Sequence, residues 1–411
     1  MTLTPRHYQE VGRDFLASRR HALLADEMRV GKTPQAILAA HKAGAKSIAV
    51  ICPAIARLHW QREFQKWWPG AMLPRIATWS YAKATDLWNS GLRGNVDLLI
   101  PDECHFAKNP EALRTKMVYG KDGFGYHAGA IWALSGTPAP KHAGELWPML
   151  RAFGVVGMTY EEYCRRYCTY DWTQTRVTGT KVEHIPELKA LLATIMLRRT
   201  RKQVAPEMPD IGYEFLEVDT GGADYELPAF AAGHSNEALT DWLSVRPDFD
   251  RENRVDVALA KCEPLVEEIA FAIENGLLKQ TVVFGWHLEP LLAGINVALR
   301  RRGISVGVLV GETSSRAREL VQEQFRSGEI QVVVANILAA GTAIDLSVAD
   351  HGYFLELDWV SGNNVQAANR LISMDKDEPV TFDVVTAPGT TDDRVQKVLL
   401  RRVKELGKLF T

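Results

Sequence analysis

Three short segments carry residue types that could do phosphate chemistry. Gly31-Lys32-Thr33 follows the apolar run from His21 to Ala25 and precedes an amphipathic stretch from Gln35 to Lys42, with Pro34 in the first helical turn, where proline is tolerated. A strand, a tight turn and a helix start in that order point backbone N–H groups at an anion. In such a loop Gly31 gives the turn, Lys32 reaches the β- and γ-phosphates of a nucleotide, and the Thr33 hydroxyl binds Mg²⁺. The first glycine of the general phosphate-loop pattern is missing, and Asp26 stands in its place. A strand-to-helix turn that merely contains Gly-Lys would read the same, so the other segments decide. Leu98-Leu99-Ile100-Pro101-Asp102-Glu103 sets two carboxylates at the end of another apolar run. One acid there can hold Mg²⁺ and the next can orient an attacking water, roles assigned to Asp102 and Glu103 respectively. Ala133-Leu134-Ser135-Gly136-Thr137-Pro138 ends a third run with small hydroxyl residues suited to sensing a γ-phosphate.

These segments need a scaffold that brings strand ends together. The apolar runs at 21–25, 47–52, 97–100 and 131–134 alternate with amphipathic stretches such as 35–42 and 58–67, which predicts a parallel sheet covered by helices on both faces. A second series, with runs at 281–286, 306–310, 331–335, 353–357 and 380–385 and helical stretches at 288–302 and 314–325, predicts a second α/β lobe. Between them, from about Thr159 to Trp242, aromatic and basic residues mix with Pro186, Pro206, Pro209 and Gly221-Gly222, which reads as a small helical protrusion followed by a crossover. The expected division is a first lobe over 1–155, protrusion and crossover over 156–205, and a second lobe over 206–411.

Composition sets wide bounds. The 411 residues are 46% hydrophobic and 24% charged, enough for two cores. A net charge of −2 excludes a basic coat over the whole surface, so phosphate contacts must come from local Lys/Arg clusters. The five cysteines form no C-x-x-C pair, and their odd number suits a reducing cytoplasm. Cys164 and Cys168 with His184 lack the fourth ligand of a zinc site. No apolar run is long enough for a membrane span and no signal peptide is legible, so no membrane partner is expected.

In chain order, Leu3-x-Pro-x-x-Tyr8-Gln9, the loop from Asp26 to Thr33, Pro53 through Trp60-Gln-Arg-Glu63-Phe64-x-x-Trp67, Asp102-Glu-Cys-His105 and Ser135-Gly-Thr-Pro138 resemble the first-lobe motifs of Swi/Snf-related translocases. Leu197-Arg198-Arg199-Thr200-Arg201 resembles that family's signature at the passage between lobes. Val282-Val-Phe284, Gly311 to Ser315, Ala339 to Leu346, Glu356-Leu-Asp358-Trp359 and Gln366-Ala-Ala-Asn-Arg370 are similar to its second-lobe motifs, nearest the annealing-helicase branch.

The resemblance implies two tandem RecA-like domains, ATP and Mg²⁺ as cofactors, and duplex or forked DNA as partner, with replication or repair proteins as further candidates. It implies that Gln9 reads adenine, that Lys32, Thr33 and Asp345 contact the nucleotide, and that Asp102 and Glu103 drive hydrolysis. It places Pro53, Arg57, Ser80, Thr137, Gly341, Thr342 and Trp359 along the nucleic-acid backbone, and has the second lobe close on ATP bound to the first. The compact layout would suit a bacterial or phage protein.

Two positions depart from the family. Arg29 stands where glycine is usual. Ser373 stands where a second arginine is expected three residues after Arg370, the arginine that ordinarily stabilises charge on the transferring phosphate. Arg370, with Lys376, is the expected source of that charge. A nucleotide-gated clamp with little turnover is the alternative, and an RNA-unwinding enzyme a more distant one. Trp60 and Trp67 read as core residues rather than base-stacking platforms, and Arg300-Arg301-Arg302 as a solvated helix end.

Overall fold

The computed structural model describes residues 4–54, 56–170, 176–206, 210–220, 235–244, 247–340, 344–373, 376 and 378–405. The chain divides after Pro206 into two compact units.

The first unit is built on strands β1 (His21–Leu24), β2 (Ser47–Cys52), β3 (Arg75–Ser80), β4 (Leu98–Pro101), β5 (Ala130–Leu134) and, after an antiparallel pair β6 (Cys168–Tyr170) and β7 (Val177–Thr180), β8 (Met196–Leu197). Their order in the sheet is β3-β2-β4-β5-β1-β8, and every neighbouring pair is parallel. Period-two alternation sorts each strand between two cores. Leu23, Ala49, Ile51, Leu99, Ile131 and Ala133 pack on one face, while Ala22, Leu24, Ile48, Val50, Ile100 and Leu134 pack on the other. Covering both faces requires helices, and α1 (His7–Ala17), α2 (Lys32–Lys42) and α3 (Ala56–Trp67) lie on the second of these cores through Leu16, Ile37, Trp60 and Phe64.

Residues of the segment 156–205 pack into the first unit's core. Tyr163, Cys164, Tyr167, Cys168, Leu188, Leu192 and Ile195 belong to the same core as Leu23 and Ile51, and β8 extends the sheet beside β1. Its aromatic residues are apolar surface to be covered, and the sheet face covers them.

The second unit has strands β9 (Ile211–Glu217), β10 (Thr281–Gly285), β11 (Val306–Leu309), β12 (Val332–Asn336), β13 (His351–Phe354) and β14 (Val380–Thr386), all parallel, in the order β11-β12-β10-β13-β14-β9. The helix Pro247–Glu274 covers this sheet, contributing Leu265, Val266 and Ile269 to a core with Val283, Val334 and Tyr353. The stretch expected as one helix over 288–302 is a π-helical run, Pro290–Asn296, continued by Val297–Arg301. Both units are therefore RecA-like α/β layers, with the chemistry-bearing motifs at strand ends.

Candidate functional site

The turn between β1 and α2 is shaped for close approach. Gly31 sits left-handed at φ 75° as the N-cap of α2, and a side chain added there would come within 2.5 Å of Gln9 Nε2. Gln9, buried on α1, thus lies against the turn, its Oε1 accepting from the Arg6 backbone N–H at 2.9 Å. Lys32 Nζ donates to the carbonyls of Asp26 (2.9 Å) and Glu27 (3.1 Å). Burial lowers its pKa, and the charges of Glu103, Asp26 and Asp102 oppose that shift. Gly136 closes on the same ammonium: a Cβ there would lie 3.4 Å from Lys32 Nζ. Arg29 also takes a left-handed conformation, φ 68°, which glycine adopts without strain.

Asp26, in place of the first loop glycine, is fully buried. Arg199 holds it, donating from Nε to Oδ1 at 3.0 Å and from Nη2 to Oδ2 at 2.5 Å. The same guanidinium reaches the Tyr8 carbonyl and Gln35 Oε1 (2.8 Å), and Gln35 Nε2 returns to Asp26 Oδ2 (3.2 Å) and the Gly31 carbonyl (3.1 Å). Arg198 donates to the carbonyls of Ala25 (2.8 Å) and Gly136 (3.1 Å), and the Arg201 backbone N–H to Glu27 Oε2 (2.8 Å). The arginine-rich signature is therefore a splint for the loop. Sequence reasoning gave Arg198, Arg199 and Gln35 no role; the signal available was an aspartate in an apolar setting with no local partner.

The two carboxylates follow β4. Asp102 Oδ1 accepts from the Glu103 backbone N–H (3.0 Å) and Oδ2 from Trp60 Nε1 (2.7 Å). Burial and the Glu103 charge push its carboxyl up, against Trp60 and Lys32. Glu103 is left-handed at φ 50°, a non-glycine strain on the order of 1–3 kcal/mol of the kind concentrated at working sites. Its Oε2 accepts from Ser135 Oγ (3.2 Å) and lies 3.3 Å from His105 Nδ1. Ser135 Oγ is in turn 3.0 Å from His105 Nδ1 and accepts the Thr137 backbone N–H (3.1 Å). One polar chain thus joins Glu103 to the Ser-Gly-Thr segment. A left-handed glycine turn, an enclosed lysine and hard oxygen donors at Thr33 and Asp102 fit a Mg²⁺-bound nucleotide.

The structure treats the expected nucleic-acid residues unevenly. Pro53 is buried at the end of β2, and Arg57 is exposed on α3 with Nε donating to the Thr78 carbonyl (3.1 Å). The Ser80 hydroxyl caps the helix Tyr81–Asn89 by accepting from the Lys83 N–H (3.1 Å), and Thr137 is buried beside Ser135. Gly341 and Thr342 lie outside the described residues. In the second unit the Arg254 guanidinium lies 4.6 Å from the centre of the Trp359 ring. Asp345 accepts from the Ser347 N–H (3.2 Å), and Arg370 sits in the turn Asn369–Leu371, its carbonyl accepting from the Leu346 N–H (3.0 Å).

Two further readings change. Lys376 was expected to share the phosphate-facing charge with Arg370, but its Nζ is held by the carbonyls of Ser347 (2.9 Å) and Ala349 (2.5 Å) and by the Asp350 carboxylate (2.5 Å), which uses its three N–H bonds within the fold. Trp60 is fully buried, as a core residue should be, yet its N–H serves Asp102. Among the described residues no group of three or more His, Cys, Asp and Glu side chains is placed to hold a metal ion.

Comparison with known proteins agrees with this architecture. The SNF2-related domain matches residues 8–100 and 76–222, and the helicase conserved C-terminal domain matches 260–374. The SWI/SNF-related matrix-associated actin-dependent regulator of chromatin subfamily A-like protein 1 of Xenopus tropicalis is 29% identical over 427 residues, covering 98% of this chain and 44% of its own. The DNA annealing helicase and endonuclease ZRANB3 of Bos taurus is 26% identical over 439 residues, covering 97% and 40%. The chain thus spans less than half the length of either relative. The solved Pyrococcus furiosus Hef helicase domain shares the fold, with a TM-score of 0.53 at 14% identity over 95% of this chain and 97% of that one. With the SNF2-related match running over more than half its length, the chain belongs to the SNF2-related family, and its second unit carries the helicase conserved C-terminal domain.

Proposed function

We propose that the chain hydrolyses ATP and couples turnover to movement along double-stranded or forked DNA, remodelling DNA or protein–DNA contacts. The observation that carries this reading is the convergence, within the first unit, of Lys32, Gly136, Asp102 and the Glu103–Ser135 pair around one glycine turn. In this reading Gly31, Lys32 and Thr33 bind the triphosphate, Gln9 the base, and Thr33 with Asp102 the Mg²⁺. Mg²⁺ bound there would neutralise phosphate charge, while Glu103 orients the attacking water and Ser135 and His105 keep Glu103 in place. Arg370 supplies the transition-state charge and Asp345 a further nucleotide contact. Pro53, Arg57, Ser80, Thr137, Gly341, Thr342 and Trp359 follow backbone phosphates, so binding is shape-directed and weakens steeply with salt. The lobe assignments 1–155 and 206–411, with 156–205 as the passage between them, belong to the same reading. Relatives named for DNA annealing and chromatin regulation support DNA as the substrate, and replication or repair proteins as partners belong to the same proposal. Among the described residues no helix is long and apolar enough to cross a membrane.

The test is steady-state ATP hydrolysis at low salt for the parent and Glu103→Gln, each without nucleic acid and with single-stranded, duplex and forked DNA. Turnover raised severalfold by duplex or fork and abolished in Glu103→Gln is the expected result. Engagement of Lys376 within the fold favours one second reading, a nucleotide-gated DNA clamp, because it removes one cation that could replace the arginine missing at Ser373. Tight ATP binding with no turnover on any DNA would establish the clamp.

A further inference from the structure

Four tryptophans of the first unit send their indole N–H to backbone carbonyls: Trp68 to Met72, Trp88 to Asp122, Trp132 to Arg19 and Trp147 to Met158. Trp60 differs, because it donates at 2.7 Å to the carboxylate of Asp102. The ring is fully buried between α3 and the sheet, packed on Phe64 with centroids 5.9 Å apart. A carboxylate that accepts a charge-assisted hydrogen bond inside a protein is held in one rotamer. Tyr81 braces the same strand end, its hydroxyl donating to the Asp102 carbonyl at 3.0 Å. From the same helix, Arg57 Nε and Gln61 Nε2 bind the carbonyl and hydroxyl of Thr78 at 3.1 and 3.0 Å. The helix that carries Arg57 is therefore joined to Asp102 by one direct side-chain bond.

We propose that Trp60 is a positioning residue: its indole N–H orients Asp102 for Mg²⁺ and ties that acid to α3, so that engagement of α3 by nucleic acid is felt at the nucleotide site. This inference rests on the proposed function and deepens it. Trp60 touches neither nucleotide nor metal in this scheme and acts through Asp102.

The experiment measures binding of a fluorescent ADP analogue by the full chain, with and without Mg²⁺, for the parent, Trp60→Phe and the packing control Phe64→Leu. In Trp60→Phe the Mg²⁺ concentration for half-maximal binding should rise about tenfold, the scale of one lost hydrogen bond to a charged group. Metal-free binding should stay unchanged, and Phe64→Leu should alter neither. Hydrolysis on duplex should lose kcat more than KM for ATP. A second readout is the ¹⁵N–¹H indole resonance of Trp60, assigned in the parent by connectivity to its own backbone; in otherwise unchanged protein it should move in Asp102→Asn and again when Mg²⁺ and ADP are added. The resonance in Asp102→Asn keeps the test open even if Trp60→Phe misfolds. A parent that binds no Mg²⁺–nucleotide defeats the proposed function. A parent that binds it, beside a Trp60→Phe variant with the same Mg²⁺ dependence or an indole resonance indifferent to Asp102→Asn, overturns the positioning role alone.

Discussion

Removing the Arg199 side chain tests how a phosphate loop can work with aspartate where glycine is general. In Arg199→Ala the Asp26 carboxylate, fully buried, loses two of its three side-chain donors and keeps only Gln35 Nε2 at 3.2 Å. Breaking a buried pair from one side costs about 3–5 kcal/mol because the remaining charge is uncompensated. The Tyr8 carbonyl and Gln35 Oε1 also lose a donor, so the expected loss is about 4 kcal/mol, the middle of that range. For a unit of this size that corresponds to a fall in melting temperature of roughly 10 °C. Nucleotide affinity should fall as well, since the guanidinium holds Asp26 and the Tyr8 carbonyl directly and Gly31 through Gln35. The assay is thermal and denaturant unfolding of parent, Arg199→Ala, Asp26→Asn and the double variant. Because a neutral amide in place of Asp26 needs no counter-charge, the double variant should be more stable than Arg199→Ala alone, with a coupling of at least about 2 kcal/mol. An Arg199→Ala protein within about 1 kcal/mol of the parent, or a double variant that sums the two single losses, would refute the splint.

Three more expectations follow from particular geometries. Arg29→Gly relieves a left-handed non-glycine backbone and should be neutral or stabilising by up to about 1 kcal/mol, whereas Arg29→Val should destabilise; paired melts decide, and a larger loss in the glycine variant would contradict the backbone argument. Burial alone would raise the Glu356 carboxyl, but the His287 hydrogen bond and the charges of Arg254, His287 and Lys261 outweigh it and hold it at about 2. A depressed carboxylate stabilises the fold above its unfolded pKa, and that stability, on the order of 3 kcal/mol, drains as pH falls from about 4.5 toward 2, so Glu356→Gln should flatten this limb of the unfolding profile relative to the parent. Arg370→Ala should reduce DNA-stimulated turnover by about 10³-fold with little change in ATP affinity, and Ser373→Arg should raise it; turnover indifferent to both would remove Arg370 from the transition state.

Most strands and every chemistry-bearing turn of the first unit were legible because buried parallel strands read as uninterrupted apolar runs and phosphate loops need a fixed spacing. The strands that escaped, β3, β6, β7, β8 and β9, lie at sheet edges, where half-exposed positions dilute the apolar signal. The site's supporting bonds escaped for another reason. Arg199 and Asp26 are 173 residues apart, Ser135 and Glu103 are 32 apart, and Trp60 and Asp102 are 42 apart, so no local window contains either partner's reason for being there. The same blindness works in reverse at Lys376, which local sequence sets near Arg370 and the fold commits instead to Ser347, Ala349 and Asp350. In the second unit Arg254 and Lys261 would read locally as charges on a solvated helix face, yet both are fully buried, with Lys261 paired to Asp392 at 2.7 Å. What sequence shows at this site is therefore the set of groups that would face a ligand, because their spacing is dictated by the ligand. What it hides is the set that faces them, because a partner for a buried charge can come from any element the topology brings alongside.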